Sequence, residues 1–319
     1  MTEIVTLEPL RSLCIRYWYS KLRARAGLTS DYSMEKAFEP DAFSYSTGGA
    51  VEYRKNKWSN YRKGIHRPQL KLLKMVEKIA HGSTRELNHP LWLVLDLTNV
   101  KIFDDDSFLR LLVPEVQRLV LPRNNDSAAP FERLKISSRS LEKLSRNADS
   151  DVLACLTWLL RESCGESVSE PTPLFLALHK ALILLAAHFE ELNLAEALLQ
   201  RYIEEILPLG LPSHLKLDMT PDDYLIPSLI LNTSAEKTLI SRNDTASASC
   251  QMALMNEMLS GKYGLDLAFA AQPKYSFIAT NDNEALDRCI HQNNLRNSAI
   301  SYLIEGPRDA PWKPSFLKS

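Results

Sequence analysis

The chain has 319 residues, of which 45% are hydrophobic and 24% are charged, a balance that excludes disordered and collagen-like classes. Its 10 glycines are too few for a loop-rich β protein, and abundant Leu, Ala, Glu, Lys and Arg favour helices. The formal net charge is −1, but residues 1–80 hold 15 basic and 8 acidic side chains, whereas the remainder holds 23 and 31. This asymmetry predicts a basic N-terminal region that binds an acidic partner, unless both sets of charges are simply solvated.

Helix patterns alternate with turn signals through the first eighty residues. The predicted elements are a helix at 9–27, a short helix at 34–38, a polar loop or wing at 44–50, and helices at 55–62 and 68–79. Gly64 ends the helix at 55–62, and Pro68 begins the next one. On that next helix, Leu70, Leu73, Val76 and Ile79 share one face.

The segment at 91–103 is ambiguous, because a short apolar run fits a buried strand that ends at Asp96 as well as a helix that starts at Pro90. Asp104 or Asp105 is then expected to cap a helix that runs to about Leu119. The segment RNNDSAAP, residues 123–130, has the composition of a linker and a domain boundary.

Helices dominate the rest of the chain. The region 174–207 is predicted as two helices that break near Asn193, the first of them central and buried. Shorter helices are predicted at 140–145, 149–162, 235–240, 245–259, 265–270, 283–291 and 294–303. We therefore predict a mainly α, bundle-like fold with a basic N-terminal region at 1–122, a linker at 123–130, an all-helical domain at 131–305 and an extended tail at 306–319.

Cysteine usage and hydropathy indicate a cytoplasmic protein. The five cysteines are odd in number and widely spaced, and no CxxC occurs, which favours free thiols in a reducing compartment over disulfides or zinc. No signal-peptide pattern is present at the N-terminus, and no apolar run reaches the length of a spanning helix. We expect no membrane association.

The most informative stretch is KNKWSNYRKGIHRPQLKLLKMVEKIA, residues 55–80. No Asp or Glu interrupts the chain from Tyr53 to Val76, whereas Lys and Arg are frequent. Trp58 and Tyr61 lie three apart, so they share a helix face that should pack on the core. The opposite face would then carry Lys, Asn and Ser side chains, which suit phosphates and base edges.

This stretch resembles the second half of a phage-repressor (Xre-type) helix-turn-helix. The positions that match are Trp58, Ser59, Tyr61, Gly64, Pro68, Leu73 and Val76. The resemblance implies that a recognition helix approaches the DNA major groove and that flanking cations lie near phosphates. The implied nucleic-acid-binding residues are Lys55, Asn56, Lys57, Ser59, Asn60, Arg62, Lys63 and Arg67. The upstream half of the motif is absent, because Glu52 stands at the expected Gly.

Three functions remain open from the sequence. The leading expectation is a DNA-binding bacterial or mobile-element regulator, homodimeric, without enzymatic activity, cofactor or metal. The alternative is a non-enzymatic scaffold in a defence or toxin-type complex, whose basic face binds RNA or an acidic protein and whose helical domain binds protein partners. A nuclease that holds Mg²⁺ through Asp96 with Asp104, Asp105 and Asp106 is the third, although DDDS also suits a helix N-terminus.

Overall fold

The computed structural model describes residues 7–45, 51–121, 134–164, 171–243, 247–278 and 283–305. Helices account for about 70% of these residues, which confirms the predicted mainly α fold. The chain divides into two compact units. The N-terminal unit comprises Met1–Thr98 and Phe189–Leu198, and the C-terminal unit comprises Asn99–His188 and Leu199–Ser319.

This division differs from the predicted boundary at 123–130. The segment after Thr98 belongs to the C-terminal unit because its residues pack around Trp158. The Trp158 Nε1–H donates to the Ile102 carbonyl oxygen at 2.9 Å, and the Phe108 ring stacks on the indole at 5.9 Å. The predicted linker at 123–130 and the predicted tail at 306–319 lie outside the described residues.

The N-terminal unit is helical apart from one hairpin. Its elements are α1 (Leu10–Ala26), α2 (Asp31–Phe38), β1 (Phe43–Tyr45), β2 (Val51–Arg54), α3 (Trp58–Arg62), α4 (Leu70–Ile79), α5 (Ser83–Leu87) and α6 (Pro90–Leu95). Strands β1 and β2 pair antiparallel, with Phe43 opposite Arg54 and Ser44 opposite Tyr53. The ambiguous segment at 91–103 is thus helical at its start, with Pro90 at the first helical position.

Aromatic side chains form the core of this unit. The fully buried Trp58 indole lies between the Trp18 ring of α1 at 5.9 Å and the Phe38 ring of α2 at 5.4 Å, and both pairs are stacked. The Tyr61 ring meets the Trp18 and Trp58 rings edge-on. The prediction that Trp58 and Tyr61 pack on the core is confirmed.

The C-terminal unit contains longer helices and a second small sheet. The elements are α7 (Pro114–Val120), α8 (Ser138–Arg146), α9 (Ser150–Glu162), α10 (Pro173–Glu191), α11 (Ala195–Arg201), β3 (Leu215–Leu217), α12 (Asp222–Ser241), α13 (Ala248–Leu259), α14 (Asp266–Ala270), β4 (Tyr275–Phe277) and α15 (Asn283–Glu305). The end of α10 and the start of α11 lie within Phe189–Leu198 and so belong to the N-terminal unit. The break near Asn193 is confirmed, since this residue adopts a positive φ of 56° between the two helices.

Several predicted boundaries in this unit were wrong. The helix expected at 104–119 begins only at Pro114, because Pro has no N–H to continue a helix from the preceding turn; a short 3₁₀ turn, Phe108–Leu111, comes before it. The helices at 283–291 and 294–303 form one helix, α15, because no Gly or Pro lies between them. The antiparallel pairing of β3 with β4 was not predicted, since three-residue strands carry almost no periodic signal.

Helix α12 is much longer than the short helix expected at 235–240, although Pro227 lies inside it. Proline removes the N–H that would bond to the carbonyl four residues earlier, here that of Asp223. The buried Arg296 of α15 supplies the missing donor, since its Nη2 lies 3.2 Å from the Asp223 carbonyl oxygen. The same guanidinium pairs with the Asp223 carboxylate at 2.9 Å.

Among the described residues, one helix is long and apolar enough to cross a membrane. It is Pro173–Glu191, and 67% of its most apolar window is buried inside the protein. Burial of this extent is typical of a core helix, as the sequence predicted for it. All five cysteines are free thiols, with Cys14 and Cys155 buried.

Candidate nucleic-acid interface

The short helix α3 is anchored at both ends. At its start, the Trp58 Nε1–H donates to the Glu39 carboxylate at 3.1 Å. At its end, Gly64 adopts a φ of +70°, and the Ile65 N–H bonds back to the Asn60 carbonyl at 2.9 Å. A Cβ at Gly64 would lie 2.7 Å from the Ser12 carbonyl oxygen of α1, so this turn needs glycine for both reasons.

The support of α3 differs from that of a repressor-type motif. A β-hairpin, β1 and β2, precedes it where the motif has a helix, and α1 and α2 provide the packing surface instead. The helix predicted at 55–62 also begins later, at Trp58, because Asn56 has a φ of +50°, which is outside helical backbone space. Lys55 and Asn56 therefore lie on the exposed turn that leads into α3.

Three of the predicted contact residues are engaged within the protein. The Lys57 ammonium pairs with the Glu39 carboxylate, and the Arg62 Nε lies 3.0 Å from the Asp31 carboxylate. The exposed Arg67 guanidinium donates to the side-chain amide oxygen of Asn88 at 3.0 Å. These bonds fix the orientation of the cations and reduce the charge that Lys57 and Arg62 offer to a partner.

The other predicted residues are more available. Ser59 and Asn60 are partly exposed on α3, and Lys55 and Lys63 are fully on the surface. None of the carboxylates within the described ranges forms a salt bridge with Lys55 or Lys63. These two lysines consequently carry uncompensated charge, as does Arg67, whose partner Asn88 is a neutral amide.

The structure adds cations that were left out of the predicted site. Lys71 and Lys74 are exposed on α4, and Arg11 and Arg23 lie on α1 beside α3. The lysines could have been included, since the acid-free stretch contains them. The arginines of α1 could not, because only the packing of α1 against α3 brings them near.

Two open cavities flank α3, and both are rich in basic side chains. One, of about 680 Å³, includes Lys55, Lys57, Arg67 and Lys71 in its lining. The other, of about 570 Å³, includes Arg23, Arg62 and Lys63. The basic surface around α3, which we call the α3 surface, consists of Lys55, Asn56, Ser59, Asn60, Lys63, Lys71 and Lys74.

The tyrosines beneath the α3 surface are kept neutral. Burial, with the nearby Glu39 and Glu35 carboxylates, raises the pKa of Tyr61 to about 12. Burial together with a hydrogen bond to the Asp31 carboxylate raises the pKa of Tyr19. Both phenols are neutral near neutral pH, as a tyrosine with its usual pKa of about 10 already is, and the shifts keep them neutral in more alkaline solution.

The aspartates considered for metal binding form local turns. The Asp96 carboxylate accepts from the Thr98 N–H at 3.0 Å, and the Asp105 carboxylate accepts from the Ser107 N–H at 2.8 Å. The pKa of Asp105 is lowered by the hydrogen bonds from Ser107. Across the ranges that the structure covers, no group of three or more His, Cys, Asp or Glu side chains could hold a metal ion.

No family model, curated protein or solved structure matches this chain. No similar protein thus suggests a role for the α3 surface, and what it can bind has to be derived from its own residues.

Proposed function

We propose that the chain is a DNA-binding protein, a bacterial or mobile-element regulator of the cytoplasm, which contacts duplex DNA through the α3 surface. The observation that supports this most is the set of exposed lysines beside α3 and on α4, namely Lys55, Lys63, Lys71 and Lys74. Trp58 and Tyr61 hold α3 in the buried aromatic core. Rigid elements position cations well, and several phosphate contacts together supply most of the affinity of such proteins.

Roles can be assigned to the side chains of the α3 surface. Lys55 and Lys63 lie at the two ends of α3 and would contact phosphates. Ser59 and Asn60 lie between them, partly exposed, and their short polar side chains can hydrogen-bond to base edges. Lys57 and Arg62 would serve as oriented secondary contacts, because internal carboxylates already hold them.

A binding titration tests this proposal. Fluorescence anisotropy with a labelled random-sequence duplex should show binding by the intact chain that weakens as salt is added. Lys63→Ala should lower the affinity severalfold, since one phosphate contact is lost, while the circular dichroism spectrum is unchanged. Lys237→Ala, an exposed lysine on α12, is the matched control and should bind as the wild type does.

A second function is favoured by one specific observation. Helix α3 has 5 residues, which is short for reading a groove, and a hairpin replaces the usual supporting helix. The same surface on a non-enzymatic scaffold would bind RNA or an acidic protein with little preference for duplex DNA. Competition between labelled duplex and unlabelled single-stranded RNA separates the two functions: the regulator prefers the duplex, and the scaffold does not.

A further inference from the structure

The larger cavity beside α3 has the properties of a ligand site. It lies between the segment that joins α2 to β1, helix α3 and the start of α4, and its volume is about 680 Å³. We call it the α3–α4 cavity. Pockets for small molecules typically have volumes of about 300–1,000 Å³.

The cavity is strongly cationic. Its lining includes Arg11, Lys55, Lys57, Arg67 and Lys71, with the exposed His66 beside them. Two carboxylates, Glu39 and Asp41, also line it. Glu39 is already engaged by the Lys57 ammonium and by the Trp58 Nε1–H, so this ion pair is neutral as a unit. Asp41 offsets one of the other four cations, which leaves the lining with a net of three positive charges. An anion in this cavity would be stabilised by several cations at once.

Helix α4 reinforces this charge pattern. Its N-cap, Gln69, makes no side-chain cap hydrogen bond, and its first turn contains no acidic residue. Lys71 occupies that turn instead, although the positive end of the helix dipole disfavours a cation there. Both Gln69 and Lys71 line the cavity. An anion bound at this end of α4 would offset the unfavourable placement of Lys71.

One wall of the cavity is apolar. Leu72 and Met75 of α4, together with Ala42 and the buried Tyr61 ring, contribute to the lining. A bare phosphate would leave this wall and most of the volume unused. Asn60 and Gln69 add neutral hydrogen-bonding groups to the lining.

We propose that the α3–α4 cavity binds a phosphate-bearing small molecule with an apolar ring, of the nucleotide class. The phosphates lie against Lys71, Lys55 and Arg67, and the ring packs on Leu72 and Met75. Because Lys55 and Lys71 also belong to the α3 surface, the bound molecule competes with duplex DNA. Ligand binding itself does not depend on the proposed DNA binding.

Isothermal titration calorimetry on the intact chain at low salt tests the site, with ATP, inorganic pyrophosphate and adenosine as probes. ATP should bind, pyrophosphate more weakly, and adenosine most weakly. Lys71→Ala should raise the Kd for ATP about tenfold, as expected when one charged hydrogen bond is lost. Lys78→Ala is the matched control, an exposed lysine on the same helix outside the cavity, and should leave the Kd unchanged.

Each other outcome overturns the proposal. It is wrong if ATP does not bind, or if Lys71→Ala and Lys78→Ala have equal effects. If pyrophosphate binds as tightly as ATP, the ligand is not of the nucleotide class. If adenosine binds as tightly as ATP, the cations do not contribute to binding. Lys63 lies outside the α3–α4 cavity, so Lys63→Ala should weaken duplex binding without changing the Kd for ATP. This variant therefore distinguishes a failure of the proposed DNA binding from a failure of the proposed ligand site.

Discussion

At the scale of single residues, Gly64 determines where α3 can lie. Its positive φ ends the helix, and its missing side chain allows the chain to approach Ser12 of α1. The sequence indicated the first role, because glycine is the common helix stop. The second role could not be foreseen, since it depends on which part of α1 lies opposite.

We predict that Gly64→Ala destabilises the protein by about 3 kcal/mol, from about 1–2 kcal/mol for left-handed backbone and the rest from overpacking against Ser12. Gly27→Ala is the matched control. Gly27 has a similar φ of +64°, but a Cβ added there would meet no atom within 4 Å, so only the backbone cost of about 1–2 kcal/mol applies. Urea denaturation measures both; equal losses would show that the contact with Ser12 is unimportant.

His179 makes the C-terminal unit sensitive to acid. Its Nδ1 accepts from the Tyr224 hydroxyl at 2.9 Å, and its Nε2–H donates to the Ala271 carbonyl at 2.9 Å. Burial lowers the pKa of this imidazole from 6.5 to about 4. The ring is therefore neutral in the folded protein over a pH range in which the unfolded chain binds a proton.

The resulting stability is fully present above pH 6.5 and is lost as the pH falls towards 4. We predict a loss of about 3 kcal/mol in the free energy of unfolding across this range from His179 alone. His179→Gln removes the titrating group and should flatten the dependence of stability on pH. Denaturant titrations at pH values of about 6.5, 5.5 and 4.5, which lie within the window between the two pKa values where stability changes, test this. An equal slope in both proteins would contradict it.

At the scale of elements, α12 shows how a distant residue can override a local signal. Proline ordinarily ends a helix, whereas α12 continues through Pro227 and extends well beyond the short helix predicted at 235–240. The structure carries the helix through this residue because Arg296 of α15 bonds to the carbonyl that Pro227 leaves without its helical donor. The two residues are far apart in sequence, so no local pattern could reveal the compensation.

Arg296→Met should therefore destabilise the C-terminal unit by about 3 kcal/mol, because the Asp223 carboxylate and carbonyl both lose a buried cation. In a Pro227→Ala background the restored N–H can bond to the Asp223 carbonyl, so the loss should shrink by about 1 kcal/mol. Thermal unfolding of the four proteins of this cycle gives the coupling. Strictly additive effects would contradict the compensation.

A structural feature could be predicted from the sequence when it depends on residues that are close together in the chain. The periodic helices, the break near Asn193 and the burial of Trp58 and Tyr61 were predicted correctly. Each of these features depends on residues three or four positions apart in the sequence. The ion pairs of Lys57 with Glu39 and of Arg62 with Asp31 were not, since the partners come from α2 and its end. The sequence thus located a basic stretch, of which Lys55, Lys63 and Arg67 are exposed in the structure, but gave no indication of which charges are compensated.

At the scale of the whole molecule, charge is unevenly distributed between a basic first part and an acidic remainder. In the small N-terminal unit, Lys55 and Lys63 are exposed just before and just after α3, and Lys71 and Lys74 are exposed on α4. A surface of this kind attracts polyanions over a distance of about 10 Å at moderate salt. The acidic remainder should limit non-specific adhesion of the rest of the molecule to the same polyanion.

The dependence of duplex affinity on salt tests the proposed DNA binding most directly. The logarithm of the binding constant, plotted against the logarithm of the salt concentration, should fall linearly with a slope that counts phosphate contacts. Replacing Lys55 and Lys63 together by alanine should reduce that slope by about 2, one unit for each lysine. Absence of duplex binding, or an unchanged slope in the double variant, would contradict the assignment of DNA contact to the α3 surface.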